Sequence, residues 1–510
     1  MKIPRQISLK KATTIILVSV LLTVIGSYYA FAATPTSTFT ISPGIYPGAP
    51  SYTIWKEGNT YFAKNSNGKI EFSGTNASQV INQGKVSGGV IFLKEATYTL
   101  TDSIDLTGYD NLSIVGEGRG TVLYLADGVN KPVIYAKESS GIVIKNLKIY
   151  GNKVGQTGGT GVSGIRFQGV TNFIIEKVWI ENTYHQGIDI VDSSGTPSEY
   201  ALISNVVIEG SGAAGIYIGF NCAYISISNV IAKNSGGGAG IDQDGLIIAG
   251  ESSEKIHDIV VNNYLSIGNS RHGGSIWGNA SNIIISNFQA INNAEQGFLI
   301  QANQERYIRD VQLSGVFKDN GYHGILVHPY GVIENLKISA ITNENGKSGF
   351  VATVETTGLL KNLLLDIISC NNTLHGIQIS CSEENRTFDI TLRGIVKWNN
   401  QGDSGSYGVS LWKVNGVRRE QLIVKDQAYS GTNWNVGYTK FYENSGTATI
   451  SSSTSVTFEH NLVGTPTYVE VGWKDTGYGD WKWTANSTHI TITVTNSGTY
   501  NFSWKAYYEP

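Results

Sequence analysis

Charge is scarce in this chain of 510 residues: 15% are Asp, Glu, Lys or Arg, against about 25% in an average soluble protein. The 37 basic and 40 acidic side chains nearly cancel. A formal net charge of −3 argues against a nucleic-acid partner, which would require a basic stripe. Three cysteines are too few for a disulfide framework. Cys370 and Cys381 fall on neighbouring strand segments and can bridge across one turn, leaving Cys222 buried, or all three can be small core residues. Methionine occurs once, and helical periodicity is nearly missing, which excludes a helical or mixed α/β fold.

What is abundant is glycine, with 60 residues, and tyrosine, with 27. The glycines fall into a pattern. Gly-Ile-Arg-Phe begins at Gly164, Gly-Ile-Asp-Ile at Gly187, Gly-Ile-Tyr-Ile at Gly215 and Gly-Leu-Ile-Ile at Gly245. After Gly273 the series continues at Gly297, Gly324, Gly349, Gly376 and Gly408, with spacings of 23 to 32 residues. Between the glycines sits a second motif, apolar-x-Asn-apolar, as in Ile144-Lys145-Asn146-Leu147, Ile203-Ser204-Asn205-Val206, Ile285-Ser286-Asn287-Phe288 and Ile333-Glu334-Asn335-Leu336. Each unit thus holds two or three short alternating strands, with Gly and Asn where the chain must turn. A period of this length built only of strands means a parallel β-solenoid.

From about residue 54 to 425 these repeats resemble the right-handed parallel β-helix of the pectate-lyase-like superfamily. The resemblance implies an all-β fold with a helix over the open end of the first coil. Asn76-Ala77-Ser78-Gln79-Val80-Ile81-Asn82-Gln83, within the stretch from Ser73 to Val86, has the pattern of that cover. The superfamily spans lyases, glycoside hydrolases, epimerases, phage tailspikes and catalytically silent surface proteins, so the fold alone selects no chemistry.

The chain divides around this solenoid. Residues 1–32 carry a basic start, an apolar run and Ala30-Phe31-Ala32, the grammar of a cleaved secretory signal or, because the run nears the length of a membrane span, of an uncleaved anchor. Either places the rest outside the cytoplasm, secreted or at the cell surface, with a membrane involved only through an anchor. Residues 33–51 read as a linker, 52–430 as the β-helix and 431–445 as a second linker. Residues 446–510 read as a small antiparallel β-sandwich of six short strands. Thr457-Phe458-Glu459-His460-Asn461-Leu462, Gly464-Thr465-Pro466 and Phe502-Ser503-Trp504-Lys505 are similar to lectin-like tails that often trimerise, which implies a possible homotrimer. Seven Asn-x-Ser/Thr sequons, at Asn76, Asn111, Asn279, Asn371, Asn385, Asn486 and Asn501, are candidate glycosylation sites in a secreted chain.

Coils about 4.8 Å apart convert registry into proximity. Just before the repeating glycines stand Asp244, His272, Gln296, His323, Ser348 and His375. One place earlier stand Arg271, Glu295, Tyr322 and Lys347, and two places after the glycine come Asp189 and Tyr217. Asp242-Gln243-Asp244-Gly245 followed by Arg271-His272-Gly273-Gly274-Ser275-Ile276 looks like the motifs of polygalacturonase-type hydrolases. That likeness implies Asp244 as proton donor and His272 as its support. The paired aspartates of that family's intervening coil have no counterpart, because Ile256–Ser266 carries only Asp258. A partner carboxylate is then expected from Asp242, Asp189 or Glu295.

Arg271, His323, Lys347, Tyr322, Tyr217 and Trp277 would line the groove and hold substrate, aromatic faces against sugar rings and cations against uronate carboxylates. No cofactor is required for hydrolysis. Elimination would call for Ca²⁺ held by Asp242 and Asp244. The expectation is therefore a secreted enzyme that cleaves an acidic or uronate-containing polysaccharide by hydrolysis or elimination. The alternative is a non-catalytic surface protein or adhesin that binds glycans.

Overall fold

The repeating strands stack coil upon coil in the computed structural model, which describes residues 49–509 apart from 160, 239–241, 252–254, 400–404, 428–432 and 476–479. The signal or anchor, and nearly all of the first linker, lie outside the described residues. Among those described, no helix is long and apolar enough to cross a membrane.

The protein is a β-solenoid of about 12 turns. After each repeating glycine a strand of four or five residues enters one parallel sheet, as in Leu246–Gly250, Gly274–Gly278 and Phe298–Ala302. Its inward positions fall in register: Ile248, Ile276, Ile300, Val327, Ala352, Ile379 and Leu411 form one buried column. The other faces of each coil come from one long strand, such as Ala223–Lys233 or Ile256–Ile267. Two left-handed residues bend each of these strands, and at the second bend Asn205 (φ 56°), Asn229 (φ 54°), Asn263 (φ 60°) and Asn287 (φ 52°) stack in one column. Asparagine tolerates that conformation better than other side chains bearing a Cβ. Asn335 does not belong to this column, although its motif reads alike. It sits at an earlier corner with Asp310 and Asn362, and its amide donates to Asp310 Oδ1 at 2.8 Å.

The repeating glycine has a steric cause. A Cβ on Gly273 would stand 2.5 Å from the Gly297 carbonyl oxygen, and one on Gly297 would stand 2.5 Å from that of Gly324. Four residues before these glycines runs a column the sequence motifs did not single out: Asn269, Asn293, Asn320, Asn345 and Asn372, continued by Asn399, none more than 1% exposed. Each side-chain amide donates to the Oδ1 of the next at 2.8–3.0 Å. Each Oδ1 from Asn293 onward also accepts the backbone N–H of the preceding asparagine. Gln427 accepts the last of these N–H groups, from Asn399.

The ends are covered as the open coils require. The strand pair Tyr52–Glu57 and Thr60–Asn65 is antiparallel. Helix Ala77–Gln83 starts at Asn76, whose side chain accepts the Gln79 N–H, and buries Ala77, Val80 and Ile81. At the far end Trp434–Gly437, within the second expected linker, pairs with Val409–Trp412 as a last rung.

The C-terminal segment is one antiparallel sheet rather than six short strands. Glu443–Glu459 and His489–Tyr507 run its whole length, and Tyr468–Trp473 and Trp481–Ala485 pair with opposite halves of the latter. Serine-rich residues 451–453 do not end the strand, because the ladder resumes at Ser453 opposite Gly498 after a bulge. The sheet folds over there. Phe458 lies beside Ile490 in register, yet its ring is 5.0 Å from Trp504 of the other half. His460 is fully buried in this unit. Its Nδ1 accepts the Leu462 N–H and its Nε2 donates to the Asn486 carbonyl, so it is a structural residue. All three cysteines are free, and Cys370 instead donates to Asn343 Oδ1.

Asn345 makes four buried hydrogen bonds, two accepted from Asn320 and two donated, to Phe317 O and Asn372 Oδ1. Each orphaned group costs about 1–3 kcal/mol. Asn345→Ala is expected to destabilise the β-helix by about 4 kcal/mol, whereas Asn335→Ala at an exposed corner loses about 1 kcal/mol from strain. Urea unfolding of the two variants beside the wild type measures the difference.

Candidate functional site

In-register stacking brings the polar residues before the glycines together. Gly245 N–H donates to the His272 carbonyl, Gly273 N–H to that of Gln296, Gly297 N–H to that of His323 and Gly324 N–H to that of Ser348. Asp244 and His272 are therefore neighbours on adjacent coils. Asp244 is wholly buried. Its Oδ1 accepts Arg271 Nε at 2.6 Å and the His272 N–H at 3.2 Å, and its Oδ2 accepts Arg271 Nη2 at 3.1 Å and Ser275 Oγ at 2.5 Å. Four donors fill the four acceptor directions of one carboxylate.

Arg271 carries this charge outward. Its Nη1 stands 3.5 Å from Asp242 Oδ1, and its guanidinium lies over the Trp277 ring at 5.3 Å. Asp242 is half-exposed. Burial raises its pKa, Arg271 opposes the rise and Asp244 adds to it. Asp242, Trp277 and Tyr217 line a cleft of about 440 Å³ together with Glu251, Asn303, Gln304 and Arg306. Of the cleft lining, Tyr217, Ile247 and Ala249 belong to an apolar cluster with Val191 and Ala214, against which Phe220 and Trp277 pack. The Tyr217 hydroxyl donates to Glu251 Oε1 at 3.4 Å. Burial pushes its pKa well up, and Glu251, Asp189 and Asp242 add to the rise.

The other expected site residues lie off the cleft wall. Asp189, one coil before Tyr217, is buried against Arg166 at 3.1 Å. Burial raises its pKa to about 6, against the pull of Arg166 and Ser163. Glu295 lies 3.5 Å from His272 Nδ1 without hydrogen-bond geometry, and burial lowers the His272 pKa. His323 is a corner residue whose Nδ1 accepts the Ser348 N–H, and burial lowers its pKa to about 4. His375 likewise accepts the Tyr407 N–H. Lys347 sits 4.0 Å above the Tyr322 ring.

Asp242 and Asp244 do not fit a calcium ion. The cation between them is the Arg271 guanidinium, and Asp244 has no acceptor direction left. Among the described residues no three His, Cys, Asp or Glu side chains could together hold a metal. The sequence reading missed Glu251, Asn303, Gln304 and Arg306. They lie in loops six to nine residues past the repeating glycine, beyond the offsets at which the strands keep registry, although Glu251 and Asn303 share the offset of six.

His185 is bound like His323, accepting the Gly161 N–H through Nδ1, and burial also lowers its pKa to about 4. Both fold as neutral rings. As pH falls from the unfolded value near 6.5 toward 4, the unfolded chain takes up protons the folded one refuses, so their stabilisation is present above that window and lost across it. Denaturant titrations at pH 7 and pH 4.5 are expected to show this loss. It should shrink in a His185→Asn/His323→Asn variant, whose amide oxygens can keep the two backbone bonds.

No protein-family model matches this chain, and no curated protein does. Among solved structures it is similar to the pre-mature gene product 12 of bacteriophage phi29, at 18% identity over 71% of this chain and 51% of that one, with a TM-score of 0.55. It is also similar to the A-module of the Azotobacter vinelandii mannuronan C-5 epimerase AlgE6, at 18% identity over 69% and 91% of the two chains, with a TM-score of 0.36. The catalytic domain of a GH87 alpha-1,3-glucanase matches at 14% identity over 78% and 70%, with a TM-score of 0.41. At these identities the likeness is one of fold.

Proposed function

We propose that this β-helix protein binds an acidic, uronate-containing polysaccharide in the cleft beside Trp277 and hydrolyses it. The observation that carries this reading is the cleft itself. It sets two carboxylates, Asp242 and Glu251, together with Arg306, the Trp277 ring and the Tyr217 hydroxyl around one volume of about 440 Å³. Aromatic faces take sugar rings, a guanidinium takes a uronate carboxylate, and a pair of carboxyl groups can move the protons of glycoside cleavage.

Asp242 is the proton donor in this scheme, because burial favours its protonated form. It gives its proton to the glycosidic oxygen as the bond to the anomeric carbon breaks. Glu251 takes a proton from the water whose oxygen bonds to that carbon. Asp244 is a positioning residue: sealed from solvent, it holds Arg271 against Trp277 and Asp242. Elimination is the weaker alternative, since the aspartates that would hold its metal are already paired with Arg271. Such a substrate lies outside the cytoplasm, in keeping with an exported chain.

A digestion panel of uronate-containing polysaccharides, read for both new reducing ends and unsaturated products, tests this. New reducing ends without unsaturation are expected, reduced about 10²-fold or more in Asp242→Asn, with binding retained. Unsaturated products would replace hydrolysis by elimination. Binding without any product would make the cleft a recognition site on a non-catalytic surface protein.

A further inference from the structure

The cleft is one end of a longer strip. Trp277 occupies the outward position four residues after its glycine, and the ladder places Gln301 and His328 directly beside it on the next two coils. The same position is then taken by Thr353, Ser380, Trp412 and Gly437. Trp277 and Trp412 thus stand five coils apart in one column, about 24 Å along the axis.

The far end is built as a platform. Gly437 has no side chain, and a Cβ there would stand 2.3 Å from the Trp412 ring, so one edge of the indole packs close against the backbone of the last rung. Tyr438 meets it edge-on at 5.1 Å and 83°, fixing its orientation. Trp412 is still 44% exposed and Tyr438 69%. Between the two tryptophans the strip is polar and held in place. His328 Nε2 lies 2.9 Å from Glu355 Oε1 and its ring packs on Tyr330 at 4.3 Å, while Lys413 donates to the Ser382 carbonyl. Tyr330 adds a third exposed aromatic, two coils from Trp277.

We propose that the Trp412–Tyr438 platform is a distal subsite that binds the same polysaccharide chain whose other part occupies the Trp277 cleft. The inference rests on the polysaccharide reading of that cleft. Its occupant follows from continuity: one in-register column of outward side chains joins the two aromatic ends, and an extended chain of linked rings matches it. Exposed rings on a rigid backbone suit sugar faces, and the polar groups between them suit hydroxyls. The subsite makes the protein a reader of chain length. A short fragment fills the cleft alone, and a long one engages both ends at the cost of a single association.

Size-fractionated oligogalacturonates and oligomannuronates, titrated calorimetrically against the full chain, provide the test. Affinity is expected to rise with length until the oligomer spans the column, by about tenfold for one added aromatic contact. Trp412→Ala and, separately, Tyr438→Ala should remove that rise. Because Tyr438 is largely exposed, its variant keeps the test valid if the Trp412 variant does not fold. Affinity that levels off for short oligomers in the wild type, or a rise that survives in both variants, would overturn the distal subsite and leave the cleft reading intact. Failure of every oligomer to bind the wild type would overturn both.

Discussion

The buried asparagine column is the constraint on which this architecture depends. Apolar side chains inside a solenoid can slide past one another with little loss, since dispersion has no direction. An amide sealed from water has no such freedom. Each side chain from Asn293 to Asn372 satisfies three groups on the coil before it and reaches one acceptor on the coil after it. A coil displaced by one residue would strand several buried donors, so the amides fix the phase that the isoleucine columns only favour. Everything on the outer surface inherits that phase, including the distance from Asp244 to Arg271.

Much of this was legible in the chain. The repeating glycine announced both period and strand class, because only glycine fits where a carbonyl of the next coil passes so close. Asn146, Asn205 and Asn287 marked a real corner. Asn335 shows the limit of such patterns: two different bends ask the same thing of a residue, tolerance of positive φ, so their motifs look identical in sequence. The ladder four places before the glycine was present as text, in Asn293, Asn320, Asn345 and Asn372, but asparagine is so common at surface turns that burial alone distinguishes it. In the C-terminal unit, Ser451 to Ser453 has the composition of a turn and is a bulge, since the partner strand supplies Gly498 opposite it.

The candidate site divides similarly. Registry brings Asp244, Arg271, His272 and Glu295 together, and side-chain direction, which registry does not encode, leaves all four outside the cleft lining. Asp244 is sealed among four donors, and Asp242, two residues earlier, lines the cleft. A buried carboxylate with a bidentate guanidinium is costly to assemble and more costly to break, so the pair holds Arg271 rigidly where a solvent-facing arginine would swing. The cleft's outer wall, with Glu251 and Arg306, comes from loops whose lengths differ from coil to coil, where no repeat constrains the position of a side chain.

The ladder also gives the molecule a direction. From Asn293 to Asn372 each side-chain oxygen accepts from the coil before and one N–H donates to the side-chain oxygen of the coil after, so this series of amide–amide bonds runs head to tail along the axis. In such a chain each bond polarises the next, and the column strengthens as it lengthens. The solenoid is therefore directional in its interior. That makes the column's two ends unequal: one begins at the Ser235 N–H, and the other is closed by the longer reach of Gln427.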